Sequence, residues 1–239
     1  MRIRTALGLL SAIVLVAIVA LCVHRAERVQ AVLGLQDRLP GGVSMGSYRE
    51  FGSENPIRAA FGTDKLFLSS PSDDDLMELL KFPEIRVLGI DDAPVTDSAM
   101  VVFRSLPNLE DAGLEFDGEG VTDVGLRELR SCKKLKRLAI WFADDITGKF
   151  LHSLAGQVEL RSIEVRFCWQ FGDDGLEALS GFPHLEEVII TDCDLSGAGF
   201  NVFEKLTDLK IVEIDLPDEA LSDPALSKHL SHVSEVSLH

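Results

Sequence analysis

Residues that commonly carry chemistry are present in this sequence, but they are not arranged as a catalytic or cofactor site. The six histidines are scattered, and the sequence has no glycine-rich phosphate loop, His-x-x-x-His zinc pair or Gly-x-Ser-x-Gly elbow. No nucleophile, base and orienting group can be combined from these residues. We therefore predict that the protein is not an enzyme and that it uses no cofactor and no resident metal.

Pairs of aspartates recur along the chain, at Asp91-Asp92, Asp144-Asp145, Asp173-Asp174 and Asp192/Asp194. Neighbouring carboxylates are suitable Ca²⁺ ligands, but this spacing matches neither an EF-hand loop nor the glycine-rich nonapeptide repeat. Asp is also favoured where a helix begins, as an N-cap and as a partner for the helix dipole. We interpret these acids as helix caps and solvated loop edges, with Ca²⁺ binding as the alternative.

A group rich in Trp and Arg has the composition of a binding site. Trp141 and Trp169 are the two tryptophans of the chain, and Arg137 and Arg166 lie close to them in the sequence. Trp and Arg are strongly enriched among the residues that dominate binding energy at protein interfaces. Whether these four side chains meet depends on the elements that position them.

Those elements follow from an apolar pattern, Leu-x-x-Leu-x-Leu, that recurs every 24 to 26 residues. Its first positions are Ile85, Leu109, Leu135, Leu160, Leu185, Leu209 and Val233, and a fainter copy begins at Thr63. Within each unit the apolar residues first alternate and then recur every third residue, which indicates a strand followed by a short helix. Repetition at this period predicts a solenoid, in which units stack because none buries its apolar face alone.

The strand register predicts which side chains meet. The apolar fourth and sixth residues of each unit point into the core, so the third, fifth and seventh point away from it. This places Arg137, Trp141, Glu164 and Arg166 side by side, with Trp169 at the adjoining edge and acidic residues on both flanks. We predict that these five residues bind a protein or peptide.

The competing interpretation is that the aromatic residues of this region pack within the fold. Phe116, Phe142 and Phe167 occupy the next position in three successive units. A stacked aromatic column of this kind is typical of packing. Under this interpretation Trp141 is also a packing residue.

The helix entries carry a second signature, an apolar residue followed by Thr or Ser and often by Asp, as in Val95-Thr96-Asp97 and Val121-Thr122-Asp123. The hydroxyl accepts a hydrogen bond from a free amide of the first helical turn, and the Asp favours the positive end of the helix dipole. We predict that these residues are structural caps.

Two cysteines extend the repeat pattern, because Cys168 and Cys193 each stand eight residues after the first Leu of their units. With the helix entries, this makes residues 63–239 resemble the cysteine-containing, ribonuclease-inhibitor-like class of leucine-rich repeats, as in F-box adaptors and bacterial membrane-anchored repeat proteins. The resemblance implies an α/β solenoid with a curved parallel sheet on the concave side and short helices outside. It also implies that the Cys side chains lie inside the turn and satisfy backbone groups.

The N-terminal segment from Thr5 to Val23 carries no charge. A helix of that length spans about 28 Å, close to the hydrocarbon thickness of a bilayer. We predict a transmembrane signal anchor over residues 1–23, a juxtamembrane helix and linker over 24–62, and the repeats over 63–239. The expected localisation is a single-pass membrane protein with its repeats outside the cytoplasm. The alternative is a signal peptide cleaved near Ala20-Leu21-Cys22.

The net charge of the repeats indicates which class of partner they bind. Residues 63–239 contain 16 Lys and Arg and 35 Asp and Glu, a net charge of −19. Such a surface repels nucleic acid and favours a basic protein or peptide. The predicted function is a membrane-tethered protein-interaction module. The alternative is a structural protein that forms homo-oligomers through its last repeat, where the chain ends inside a strand without a capping segment.

Overall fold

The computed structural model describes residues 2–39, 43–44, 64–222 and 224–239, and in the first helix it describes side chains from Val14 onward. The remainder of the predicted linker, residues 40–42 and 45–62, lies outside the described residues, as does Thr63 of the faint first repeat.

The described residues form a sheet of nine strands that follow one another in chain order. The strands are β1 Val43–Ser44, β2 Lys65–Ser69, β3 Val87–Ala93, β4 Asp111–Thr122, β5 Arg137–Asp145, β6 Ser162–Gly172, β7 Glu187–Asp194, β8 Ile211–Ile214 and β9 Glu235–Leu238. Strands β2 to β9 are parallel, and β1 pairs antiparallel with β2. Equivalent residues of successive repeats pair with each other, as in Ala112, Leu138 and Ile163. The predicted parallel sheet of stacked repeats is therefore confirmed.

Short helices connect the strands on one side of the sheet. The α-helical turns are Asp73–Met77, Asp123–Leu126, Phe150–Leu154, Asp173–Ala178, Asp218–Leu221 and Pro224–His229, and the 3₁₀ turns are Glu78–Lys81, Ala99–Ser105, Arg127–Ser131, Leu179–Gly181 and Phe200–Lys205. In a 3₁₀ turn the side chains at i and i+3 eclipse. This geometry suits the apolar residues that recur every third position, because it aligns them on the face that meets the strands.

The core lies between the strands and these helices. Leu138 and Ile140 of β5 are 0% exposed, as are Leu126 and Leu129 of the preceding helical turns. The buried apolar side chains form one cluster that continues from repeat to repeat. The face of the sheet opposite the helices, here called the open face, carries the third, fifth and seventh residues of each unit.

The helix entries also join consecutive repeats, in addition to capping their own helices. Thr122 Oγ1 accepts a hydrogen bond from the amide of Val124 at 3.0 Å, so the predicted cap is confirmed there. The neighbouring Asp97, however, accepts bonds from the next repeat, from the Thr122 amide at 2.8 Å, the Thr122 hydroxyl at 2.7 Å and the Gly125 amide at 3.0 Å. Aspartates at the same position form equivalent bonds at other joints, namely Asp73 with Thr96, Asp123 with Thr147, and Asp173 with Ser196.

The N-terminal helix α1, Arg2–Arg38, packs its final turns on the first repeat. Val32 and Leu35 are 0% exposed and belong to the common core. The Arg28 guanidinium lies 4.9 Å from the centre of the Phe82 ring and forms an ion pair with Glu84. The segment predicted to be juxtamembrane is thus part of the folded unit, where it covers apolar residues at the start of the solenoid.

The structure describes the side chains of the predicted anchor from Val14 onward. Val14 to Val16 are 51–68% exposed in α1. Across the described part of the chain, no helix combines the length and the apolar character needed to span a membrane. The side chains of residues 1–13, more than half of the predicted anchor, lie outside the description.

Candidate protein-binding face

Four of the five predicted binding residues lie together on the open face. Arg137 and Trp141 are on β5, and Glu164 and Arg166 are on β6. The pairing of Trp141 with Arg166 across the two strands places these side chains next to each other. Trp169 is on β6 as well, but it follows a turn in the backbone and lies beyond the open face.

Glu164 connects the other three side chains. Its Oε2 accepts a hydrogen bond from Arg137 Nη2 at 2.8 Å, and its Oε1 accepts from Arg166 Nε at 2.9 Å and from Trp141 Nε1 at 3.1 Å. The Glu164 side chain is 13% exposed, so these charge-assisted bonds are shielded from water. The network fixes Trp141 and both arginines in defined positions on the face.

The arginine charges are matched by acids of this chain. Arg137 Nη1 is 3.4 Å from Asp111 Oδ1, and Arg166 Nη1 is 3.2 Å from Glu213 Oε1. Burial lowers the pKa of Arg166, but its bonds to Glu164 and Glu213 outweigh this and raise the pKa overall. Burial raises the pKa of Asp111, although Arg137 opposes the change. The centre of the face therefore carries guanidinium groups without an excess of positive charge.

Small residues lie beside Trp141 and give the face a flat floor. Gly89, Gly113 and Ala139 occupy paired positions on β3, β4 and β5. A Cβ atom at Gly113 would be 3.4 Å from the Trp141 ring, and one at Gly89 would be 2.4 Å from the Phe67 ring. The Phe67 ring thus lies over backbone that only glycine leaves open, whereas the Trp141 ring lies at van der Waals distance from Gly113.

Acidic residues border this floor on the side of β3 and β4. Glu115 pairs with Trp141 in the strand register, and Asp91 and Asp92 follow on the neighbouring strand. The pKa of Glu115 is raised, first by burial and then by the negative charge of Asp91 and Asp92. Like charges held close together are stabilised when a cation approaches. This border therefore suits a positively charged group of a partner.

A partly exposed aromatic patch lies just beyond the open face, and it includes two of the three phenylalanines of the predicted packing column. It consists of Phe142, Phe167 and Trp169. The rings of Phe142 and Phe167 stack with centroids 4.8 Å apart at an interplanar angle of 6°. Phe142 is 42% exposed and Trp169 is 60% exposed, whereas Phe167 is half-buried. Phe116, the third member of the predicted column, is instead buried at 3% exposure.

The two cysteines of the repeat pattern bond to the backbone. Cys168 and Cys193 pair across β6 and β7, and their thiols donate to the Arg166 and Thr191 carbonyls, each at 3.3 Å. Burial raises the pKa of both thiols to about 12. Both thiols are therefore protonated and bonded to the backbone of their own strands. Among the described residues, no group of three or more His, Cys, Asp or Glu side chains is placed to hold a metal.

Solved structures of two internalins from Listeria monocytogenes str. 4b F2365 are similar to this chain. Internalin inlF matches with a TM-score of 0.56 and 13% identity over 90% of this chain and 56% of its own, so the chain spans little more than half of that structure. Internalin C2 matches with a TM-score of 0.52 and 13% identity over 87% of this chain and 92% of its own. No protein-family model matches the sequence. At this level of identity the similarity shows the fold, which is a leucine-rich-repeat solenoid.

Proposed function

We propose that this protein is a non-catalytic interaction module that binds a protein or peptide through the open face of its sheet. The observation that carries the proposal is the network around Glu164, which holds Trp141 and two arginines in fixed, partly exposed positions. Side chains that are ordered before binding lose less conformational entropy when a partner arrives. Trp and Arg in such positions are typical binding hot spots.

The charge distribution supports a basic partner. Glu115, Asp91 and Asp92 border the face, and the repeat region has a net charge of −19. A basic segment is attracted at long range by this charge. It also relieves the repulsion between the carboxylates when it binds.

The double change Trp141→Ala and Arg166→Ala tests the proposal. Crosslinking of the intact protein in its native cells, followed by mass spectrometry, identifies the bound protein, and titration then gives the affinity. We expect the double variant to lose about 2 kcal/mol of binding free energy, the hot-spot scale, with a melting temperature within about two degrees of wild type.

The control is Glu177→Ala, an exposed residue on the helical side, which should leave binding unchanged. Loss of binding in the control variant with normal binding in the double variant would show that the helices, not the sheet, form the recognition surface. Recovery of self-crosslinks alone would favour the alternative, a structural protein that pairs with its own copies. A fall in melting temperature in step with binding would make Trp141 a packing residue.

The membrane tether and the extracytoplasmic location are proposed from the sequence, on the uncharged segment from Thr5 to Val23. A tethered chain should stay with the membrane fraction after extraction at alkaline pH. Release into the supernatant would exclude an anchor, and a mature N-terminus near residue 23 would show a cleaved signal peptide instead.

A further inference from the structure

We infer that the aromatic patch, Phe142, Phe167 and Trp169, is a second contact surface for a basic peptide segment of the same partner. The inference rests on the proposed protein-binding function and extends the recognition surface beyond the open face. It depends on three features, which are the backbone conformation of the two phenylalanines, the exposure of the rings and the charge of the surrounding strands.

The backbone of both phenylalanines has an unfavourable conformation. Phe142 and Phe167 each have φ of 55°, in the left-handed region. The same position of other repeats is occupied by Ser70, Asp92 and Asp192, with φ of 50 to 53°. Short polar side chains tolerate this region, whereas a bulky residue there costs roughly 1–2 kcal/mol. Phe is therefore a poor choice for this turn on grounds of stability.

Burial offsets this cost only in part. Phe142 is 42% exposed, Phe167 is half-buried, and the adjoining Trp169 is 60% exposed. Stacking of the two rings recovers only about 1 kcal/mol. At the equivalent position of β4, Phe116 is 3% exposed and lies in the core, so this position can serve packing when the strand turns inward. Strained residues that expose apolar surface are characteristic of binding sites.

The surroundings specify the chemistry of the occupant. Asp144 follows Phe142 by two residues, and Asp192 lies beside Phe167 because Cys168 and Cys193 pair across the two strands. Carboxylates next to aromatic rings favour Arg or Lys, whose cations bind the ring faces. Stacking of nucleobases is disfavoured, since single-stranded nucleic acid requires a basic groove and the repeats as a whole, residues 63–239, have a net charge of −19.

The patch also continues the open face. Phe142 directly follows Trp141, and Phe167 directly follows Arg166, on adjacent strands. One extended segment that crosses β5 and β6 and leaves the sheet at the ends of these strands passes over both groups. The two surfaces therefore serve one partner.

The test replaces both phenylalanines with asparagine, which accepts left-handed backbone and removes the rings. The probe is a fluorescent decapeptide of alternating Arg and Leu, titrated into the full chain and followed by fluorescence polarisation. We expect binding at least tenfold weaker in Phe142→Asn/Phe167→Asn, with an unchanged or higher melting temperature. Trp169→Ser, which carries no backbone strain, should weaken binding as well. Val124→Asn with Val158→Asn, both exposed on the helical side, is the matched control and should bind as wild type does.

Several outcomes overturn the inference. Equal affinity of the wild type and the Asn variant for the peptide would exclude the patch as a contact surface. A lower melting temperature in the Asn variant would make the rings packing residues. Weaker binding in Trp141→Ala/Arg166→Ala but not in the Asn variant would keep the open face as the site and exclude the patch. No effect in either variant would exclude both surfaces for a basic peptide.

Discussion

Replacement of Leu138 with aspartate is expected to unfold the repeats together and to lower the free energy of unfolding by more than about 4 kcal/mol. Leu138 is 0% exposed and pairs with Ala112 and Ile163 of the adjacent strands, which are 0% and 1% exposed. A carboxylate at this place has apolar neighbours, so it is buried without a partner. Because repeat proteins are stabilised by contacts between neighbouring units, a defect in a central strand weakens the units on both sides.

Circular dichroism during heating and urea titration measures this effect on the full chain. The matched control is Val124→Asp, which introduces the same side chain at a position that is 60% exposed. Val124 lies in the first turn of Asp123–Leu126, where a negative charge is favoured by the helix dipole. If Leu138→Asp melts at the wild-type temperature, the assignment of the fourth repeat position to the core is wrong.

Replacement of Asp97 with alanine should be the second most damaging change, with an expected loss of about 3 kcal/mol. The carboxylate accepts three hydrogen bonds from the next repeat, two from the amides of Thr122 and Gly125 and one from the Thr122 hydroxyl. A buried hydrogen bond to a charged group contributes about 1.5–3 kcal/mol, but Asp97 is half-buried and water replaces part of the bonding, so about 3 kcal/mol is expected for the three bonds together. The substitution therefore weakens the contact between two repeats rather than the stability of one helix.

Urea unfolding of three variants separates the causes. Asp97→Asn keeps the shape and one carbonyl oxygen, so it should lose about half as much stability as Asp97→Ala. Asp74→Ala removes an exposed acid from the first turn of Asp73–Met77 and should change stability by less than about 1 kcal/mol, the scale of the dipole interaction alone. Equal losses for Asp97→Ala and Asp74→Ala would show that the acids act only on their own helices.

The solenoid, the strand register and the open face can all be predicted from the apolar repeat in the sequence. A period of 24 to 26 residues repeats the same apolar positions seven times. Seven equivalent units therefore define the position of the strand within the repeat independently of one another. The register followed because side chains of a strand alternate between two faces. Arg137, Trp141, Glu164 and Arg166 were therefore placed together from their positions in the repeat alone, and the structure confirms that they adjoin.

The hydrogen-bond partners of those side chains, in contrast, follow only from the three-dimensional arrangement of the repeats. Repeat position fixes the direction of a side chain but not the bond it makes, so the threefold bonding of Glu164 and the bonds of Asp97 to the next repeat depend on distances between strands and helices. The sequence treated Phe116, Phe142 and Phe167 as one column. The first is buried where the register of β4 becomes irregular, whereas the other two have left-handed backbone, with Phe142 exposed and Phe167 half-buried. Equivalent positions have different environments because the backbone conformation at the end of each strand is set by packing against its neighbours.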